Sequence, residues 1–201
     1  MAPIAADEIA LIKLVIQTDV SVLPASLVLS AISKICNLAF LTLLIVMFAV
    51  RRLPTQHAHG FYPRFVALAG TWLSVGIVQL PPQELSSLIS VISLLLLIAG
   101  TSFAVCSVLA LARSISIMPE ARQLVRRGPY SLVRHPLYLG EMTATAGLAM
   151  QYLMPWALVL LGLHWICQFE RMKNEERVLI EAFPNYQDYM MQTARLVPGV
   201  Y

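Results

Sequence analysis

Arg126-Arg127-Gly128-Pro129-Tyr130-Ser131-Leu132-Val133-Arg134-His135-Pro136-Leu137-Tyr138-Leu139-Gly140-Glu141 is the stretch on which the reading of this chain turns. Gly128-Pro129 marks a turn. Pro136 suits the first turn of a helix, where its missing N–H costs nothing. Arg134 and His135 are therefore expected at the mouth of a helix that begins there. A helix N-terminus offers free N–H groups and a positive dipole end, which favour an anionic ligand group. Tyr138 is three residues past His135, hence on the same face. Gly140 would let a second backbone or a flat ligand approach closely. Headgroup anchoring alone accounts for Arg126 and Arg127, because Arg and Tyr are enriched at membrane interfaces. The ordered glycine, prolines and aromatics around Arg134, His135 and Tyr138 ask for more than anchoring.

The rest of the chain sets that stretch in a bilayer. Of 201 residues, 58% are hydrophobic and 12% charged, half the charge of an ordinary soluble domain. Such a composition also excludes a disordered chain. A helix needs about 20 mostly apolar residues to cross the hydrocarbon. Residues 35–50, 65–83 and 85–112 carry no charge, and the first run extends back to about residue 25 if Lys34 is accommodated. Residues 142–169 are uncharged too, but Pro155 interrupts them. With residues 136–141 they read as two short helices joined near 151–155, since proline ends or kinks a helix. The expected fold is all-α and polytopic: five membrane helices, the last two a tight hairpin, then a helical C-terminal tail.

Charge placement orients the bundle. Cytoplasmic loops are enriched in Lys and Arg. Residues 51–64 hold three arginines and no acid, and residues 113–135 hold five arginines and one acid, Glu120. The tail after Phe169 adds Arg171, Lys173, Arg177 and Arg195. Threading five helices alternately puts all three segments on one side, with the N-terminus outside and the C-terminus in the cytoplasm. The start of the chain, with Asp7 and Glu8 in place of a basic n-region, reads as an interfacial amphipathic segment rather than a signal peptide. Residues 1–112 look like this segment plus a three-helix scaffold. Residues 113–201 hold nearly all the unusual polar groups.

A second constellation follows the last apolar run: Glu170-Arg171-Met172-Lys173-Asn174-Glu175-Glu176-Arg177. Arg171 and Glu175 are four apart and can pair along a helix, which is worth only about 0.2–0.5 kcal/mol. Glu170 abuts the apolar run, and burial there would raise its pKa, making it a candidate for proton handling. Leu179, Phe183, Tyr186 and Met190 form an amphipathic stripe that Pro184 must break, and simple packing explains it, with Tyr189 beside it as a candidate lid residue. His164 reads as a buried neutral histidine, and Glu141 is flagged as an intramembrane polar residue. Lys34 would snorkel or face the bundle, and Asn37 could bond between helices. His57 and His59 lack further ligands, and Cys36, Cys106 and Cys167 form no C-x-x-C pair, so neither a metal site nor a disulfide framework is expected. No G-x-G or G-x-S-x-G occurs, which removes the Rossmann fingerprint, the glycine-rich phosphate loop and the hydrolase elbow.

Gly128, Tyr130, Arg134, His135, Pro136, Tyr138 and Gly140, with Glu175-Glu176, resemble the isoprenylcysteine carboxyl methyltransferase family, to which the phospholipid methyltransferases are related. The family pattern G-x-Y-x-x-x-R-H-P-x-Y-x-G is matched in full. Its ending, F-G-x-x-Y-x-x-Y, is replaced by Phe183-Pro184-Asn185-Tyr186-Gln187-Asp188-Tyr189, one residue shorter. The resemblance implies that residues 113–201 are a catalytic region binding S-adenosylmethionine from the cytoplasm. Tyr130, Arg134, His135, Pro136, Tyr138, Leu139 and Gly140 would line the cofactor, and Glu175 or Glu176 would meet its ribose hydroxyls or amino group. A lipophilic acceptor would enter sideways from the bilayer. Arg171 would position a carboxylate acceptor, whereas Glu170 or Glu141 would take the proton of an amine. The implied setting is a multi-pass protein of a bacterial inner membrane, without metal or nucleic acid. Sterol reductases share a similar C-terminal half, so an NADPH-dependent reductase is one alternative. A non-catalytic membrane scaffold is another.

Overall fold

The structure, a computed structural model, describes residues 56–58, 60–111, 114, 120–121, 123–152 and 154–199, with ten single helical positions between 28 and 49. The expected N-terminal interfacial segment, and Lys34 and Asn37 of the first expected span, lie outside the described residues. Among the described residues the fold is all-α. Helices α1 (Phe61–Val78), α2 (Ser87–Leu111), α3 (Pro136–Ala149), α4 (Trp156–Ala182) and α5 (Tyr186–Gln192) are joined by a 3-10 turn, Gly128–Ser131. A two-residue antiparallel pairing links β1 (Gln56–His57) to β2 (Glu120–Ala121).

Helices α1 and α2 are long and apolar enough to cross a membrane. The last two expected spans have a different form. Helix α3 has 14 residues, about 21 Å at 1.5 Å per residue, less than the hydrocarbon thickness. Helix α4 does not stop at Phe169 but runs unbroken to Ala182. The charged residues after Phe169 are good helix formers, so the end of the apolar run is not the end of the helix.

Residue size is distributed in an unusual way. On α2 the buried stripe is Ser93, Leu97, Gly100, Ala104, Ser107 and Val108, at helical spacing. Leu88, Val91, Leu95 and Leu109 point outward. On α1, Gly70 and Ala67 face inward while Phe61, Phe65 and Trp72 are exposed. Water-soluble helices show the opposite pattern. Small residues inside and large apolar ones outside are what helix packing in lipid favours.

The expected hairpin arms, α3 and α4, each pack mainly on another helix. Helix α3 lies along α2 and helix α4 along α1. At one end of the molecule Ile77, Ala149 and Ala157 form a core cluster. There Gln83 N–H donates to the Gln151 carbonyl at 3.1 Å, and the Gln151 amide donates to Ser93 Oγ at 2.9 Å. At the other end Tyr138, Met142, Met172 and Leu196 form a second cluster, and the polar residues of the motif gather beside it.

Candidate active site

Helix α3 begins at Pro136, with His135 as its N-cap. The chain ahead of it is held by the segment after α5. Arg134 N–H donates to the Ala194 carbonyl at 2.8 Å and His135 N–H to the Arg195 carbonyl at 3.1 Å. Leu196 follows directly and inserts into the Tyr138 cluster. The tail therefore closes the mouth of α3.

Glu176, on α4, is the electrostatic centre of this mouth. Its Oε1 accepts from Arg134 Nε and Arg195 Nε, each at 3.1 Å, and lies 3.1 Å from His135 Nε2; Arg195 Nη2 bonds its Oε2. The Glu176 side chain is only 4% exposed. Burial works against its charge, but the His135 and Arg195 hydrogen bonds outweigh it and hold its pKa at about 2. Arg134 also donates from Nη1 to the carbonyls of Met190, at 2.7 Å, and Thr193, at 2.8 Å. Arg134, expected under the cofactor, is thus committed to the end of α5 and to Glu176.

Glu175 plays a different part. Its Oε2 accepts from Tyr138 Oη at 2.9 Å and lies 4.0 Å from His135 Nδ1. A third of its side chain is exposed. Of the two acids, Glu176 is saturated by cations and Glu175 keeps capacity for a ligand. The His135 ring meets the Tyr138 ring edge-on at 5.4 Å between centroids. Tyr130 is buried, its carbonyl accepting from Tyr189 Oη at 2.5 Å. Burial raises the Tyr189 phenol to about 12 and Tyr130 well above the usual tyrosine range. Arg126, expected as a headgroup anchor, sits 5.4 Å over the Tyr189 ring and bonds the Asn185 carbonyl.

The structure bears on three expectations. Of the two close approaches expected at Gly140, it shows the second backbone rather than a ligand: a Cβ there would lie 2.6 Å from Ala104 N and 2.8 Å from the Gly100 carbonyl, because α2 fills that side. Glu170 is not a buried carboxyl of raised pKa. The Lys173 ammonium, at 2.7 Å, holds its pKa below the usual carboxylate value, and Tyr62 Oη donates to it at 3.3 Å. A carboxylate so stabilised is a poor proton acceptor. Arg171, expected beside the acceptor, is a buried residue. It is 8% exposed, stacks over the Tyr138 ring at 5.2 Å, and donates from Nη1 to Gln168 Oε1 at 2.8 Å. Pro136 is fully buried, and Leu139 packs on the Tyr138 cluster.

Sequence reasoning missed Gln168. It is fully buried, and its Nε2 donates to Glu141 Oε2 at 2.7 Å. His164, one turn away, lies 3.5 Å from the same Nε2, and its Nδ1 is 2.9 Å from the Gly70 carbonyl of α1. A glutamine and a histidine four apart inside an uncharged run were the available signal. Among the described residues no three metal-ligating side chains gather.

The donor set suits S-adenosylmethionine. A carboxylate with open capacity, Glu175, stands beside two aromatic rings and a helix N-terminus, and that combination can meet hydroxyl or ammonium groups and a carboxylate. Residues 88–186 match the sequence profile of the phospholipid methyltransferases. The chain is also 33% identical over 76 residues to the cobalt-zinc-cadmium resistance protein CzcN of Cupriavidus metallidurans, covering 37% of this chain and 35% of that protein. It is 29% identical over 80 residues to the nickel-cobalt-cadmium resistance protein NccN of Alcaligenes xylosoxydans xylosoxydans, covering 39% and 38%. The matched region thus spans little more than a third of either relative.

Proposed function

Since the chain belongs, through residues 88–186, to the phospholipid methyltransferase family, we propose that it transfers a methyl group from S-adenosylmethionine to the amine of a lipid-embedded acceptor at the cytoplasmic face of a membrane. The observation that carries this reading is the gathering of His135, Tyr138 and Glu175 at the N-terminus of α3. The outward-facing apolar surface of α1 and α2 supports the bilayer setting. The five-span topology, with the N-terminus outside and the C-terminus in the cytoplasm, belongs to the same proposal.

Bound S-adenosylmethionine supplies an electrophilic methyl on a sulfonium. The residues have little covalent work to do, because in-line displacement depends on holding the reactants close and aligned. Glu175 holds ribose hydroxyls or the amino group, and Tyr138 orients Glu175. His135 and Glu176 keep the α3 mouth and the tail together. The match to the phospholipid methyltransferases favours an amine acceptor. Glu176 is held by Arg134 and Arg195, and Glu141, hydrogen-bonded by Gln168, is the carboxylate left to serve such an acceptor. Glu141 would take the proton of an ammonium acceptor and so free the nitrogen lone pair for the methyl that bound S-adenosylmethionine would supply.

Thermal unfolding in detergent with S-adenosylmethionine, S-adenosylhomocysteine and NADPH tests the reading. A ligand of the folded state at a hundred times its Kd adds about 2.7 kcal/mol. Stabilisation by both adenosyl ligands and not by NADPH is expected. The reverse would establish the reductase, and no response to any ligand would leave a scaffold.

A further inference from the structure

The buried chain Arg171–Gln168–(Glu141, His164)–Gly70 has only one consistent arrangement of hydrogens. A backbone carbonyl only accepts, so the 2.9 Å contact requires the proton on His164 Nδ1. In the neutral ring Nε2 then carries a lone pair, and it faces Gln168 Nε2. A guanidinium only donates, so Arg171 Nη1 fixes the other end of the amide as oxygen. Both protons of the Gln168 amide therefore point away from Arg171, one toward Glu141 Oε2 and one toward His164. Reversing the amide would set NH2 against the guanidinium and oxygen against a carboxylate. Its orientation is determined from two ends, by α1 and by the α3–α4 contact.

Helix α1 makes this possible through Gly70. A Cβ there would lie 3.2 Å from Arg171 Cδ and 3.3 Å from Cys167 Cβ. Gly70 lies outside the family-matched residues 88–186. Glu141 receives its Gln168 hydrogen bond at Oε2.

We propose that Gln168 is a positioning residue that aims the Glu141 carboxylate at the acceptor, its own orientation set by Arg171 and by His164 docked on Gly70. The proposal rests on the methyltransferase reading above. It separates the site into a cofactor half at Tyr138 and Glu175 and an acceptor half at Glu141, with Arg171 between them.

The test uses full-length protein in detergent, methyl transfer to phosphatidylethanolamine vesicles, and stabilisation by S-adenosylhomocysteine. Gln168→Leu should lower kcat about tenfold or more, the loss of a hydrogen bond to a charged group. The S-adenosylhomocysteine shift should stay at the wild-type value. Gln168→Glu keeps an acceptor for Arg171 and loses the donor to Glu141; it should lose turnover equally and guards against a misfolded leucine variant. The exchange Gln168→Glu with Glu141→Gln restores the bond between positions 141 and 168 and the acceptor for Arg171, with the carboxylate on the wrong helix and only the weak 3.5 Å contact to His164 lost. It should recover most of the Tm that Gln168→Glu loses and leave turnover lost. If the exchange restores turnover, or if Gln168→Leu weakens S-adenosylhomocysteine as much as it slows transfer, Gln168 is only structural and the proposal is wrong. Wild-type protein that binds S-adenosylhomocysteine but methylates no amine lipid also overturns it, and leaves the cofactor reading standing. Wild-type protein that binds neither adenosyl ligand overturns both.

Discussion

Helices α2 and α3 meet through their backbones, whereas α1 and α4, around Gly70, meet through polar side chains. At the first seam a Cβ on Gly100 would lie 2.3 Å from Ala144 N and 2.7 Å from the Gly140 carbonyl, and one on Gly147 would lie 2.6 Å from the Ser93 carbonyl. Nothing there can move without parting the helices. At the second seam the neighbours of Gly70 are the flexible Arg171 side chain and Cys167, and the contact is completed by His164 on the Gly70 carbonyl. One seam is a rigid frame. The other carries adjustable chemistry. The motif glycine Gly140 belongs to the frame, although its place in the sequence suggests the chemistry.

The sharpest break is Gly140→Val. Its side chain has only backbone to displace, so a loss above about 4 kcal/mol is expected, visible as absence of a monodisperse peak on size exclusion in detergent. A variant that melts with the wild type would abolish the distinction between the seams.

Next is Glu176→Gln at the mouth of α4. The folded pKa of Glu176 is about 2, below its ordinary 4.5. A depressed carboxylate stabilises the fold above its unfolded pKa and loses that contribution as pH falls from about 4.5 to about 2. The shift corresponds to about 3 kcal/mol at neutral pH. The glutamine variant should melt earlier at pH 7 and lose most of the wild type's acid-dependent decline over that window. An unchanged acid limb would show that the Arg134, His135 and Arg195 contacts contribute nothing.

A smaller effect is expected at Gly70→Ala, where Arg171 can give by a few tenths of an ångström. A cost of about 1 kcal/mol should accompany a larger fall in methyl transfer, since the displaced groups hold Gln168. Equal loss of stability in Gly70→Ala and Gly140→Val would erase the comparison. Gly162→Ala is the smallest change. Among the described residues nothing lies within 4 Å of the added methyl on α4, so helix propensity alone should raise stability by up to about 1 kcal/mol. A measurable loss in a melting experiment would reveal an unseen neighbour.

The parts legible in the sequence were those governed by local rules. The apolar run 85–112 became α2 at Ser87–Leu111, and Pro136 opens α3. The run 65–83 became α1 four residues earlier, at Phe61, because Gly60 with φ 94° turns the chain there and Pro63 fits a first turn. Illegible were properties that need two distant segments. Arg195 read as one basic residue of a tail, yet with Arg134 and His135 it saturates Glu176. Gln168 had no visible partner because its partners come from residues 141, 164 and 171 on two helices. Glu170 was misjudged because its exposure depends on where α4 leaves the bundle, which hydropathy alone does not give.

Helix α4 runs without a break for 27 residues, about 40 Å, and it carries His164, Gln168, Arg171, Glu175 and Glu176 along one shaft. These groups keep fixed axial separations, about 18 Å from His164 to Glu176. The shaft is therefore a gauge. Under the proposed reaction, a molecule reaching Glu141 would have to place its reactive atom at one set distance below the end proposed for the cofactor, so the length of its polar head, rather than of its greasy tail, would decide whether it fits.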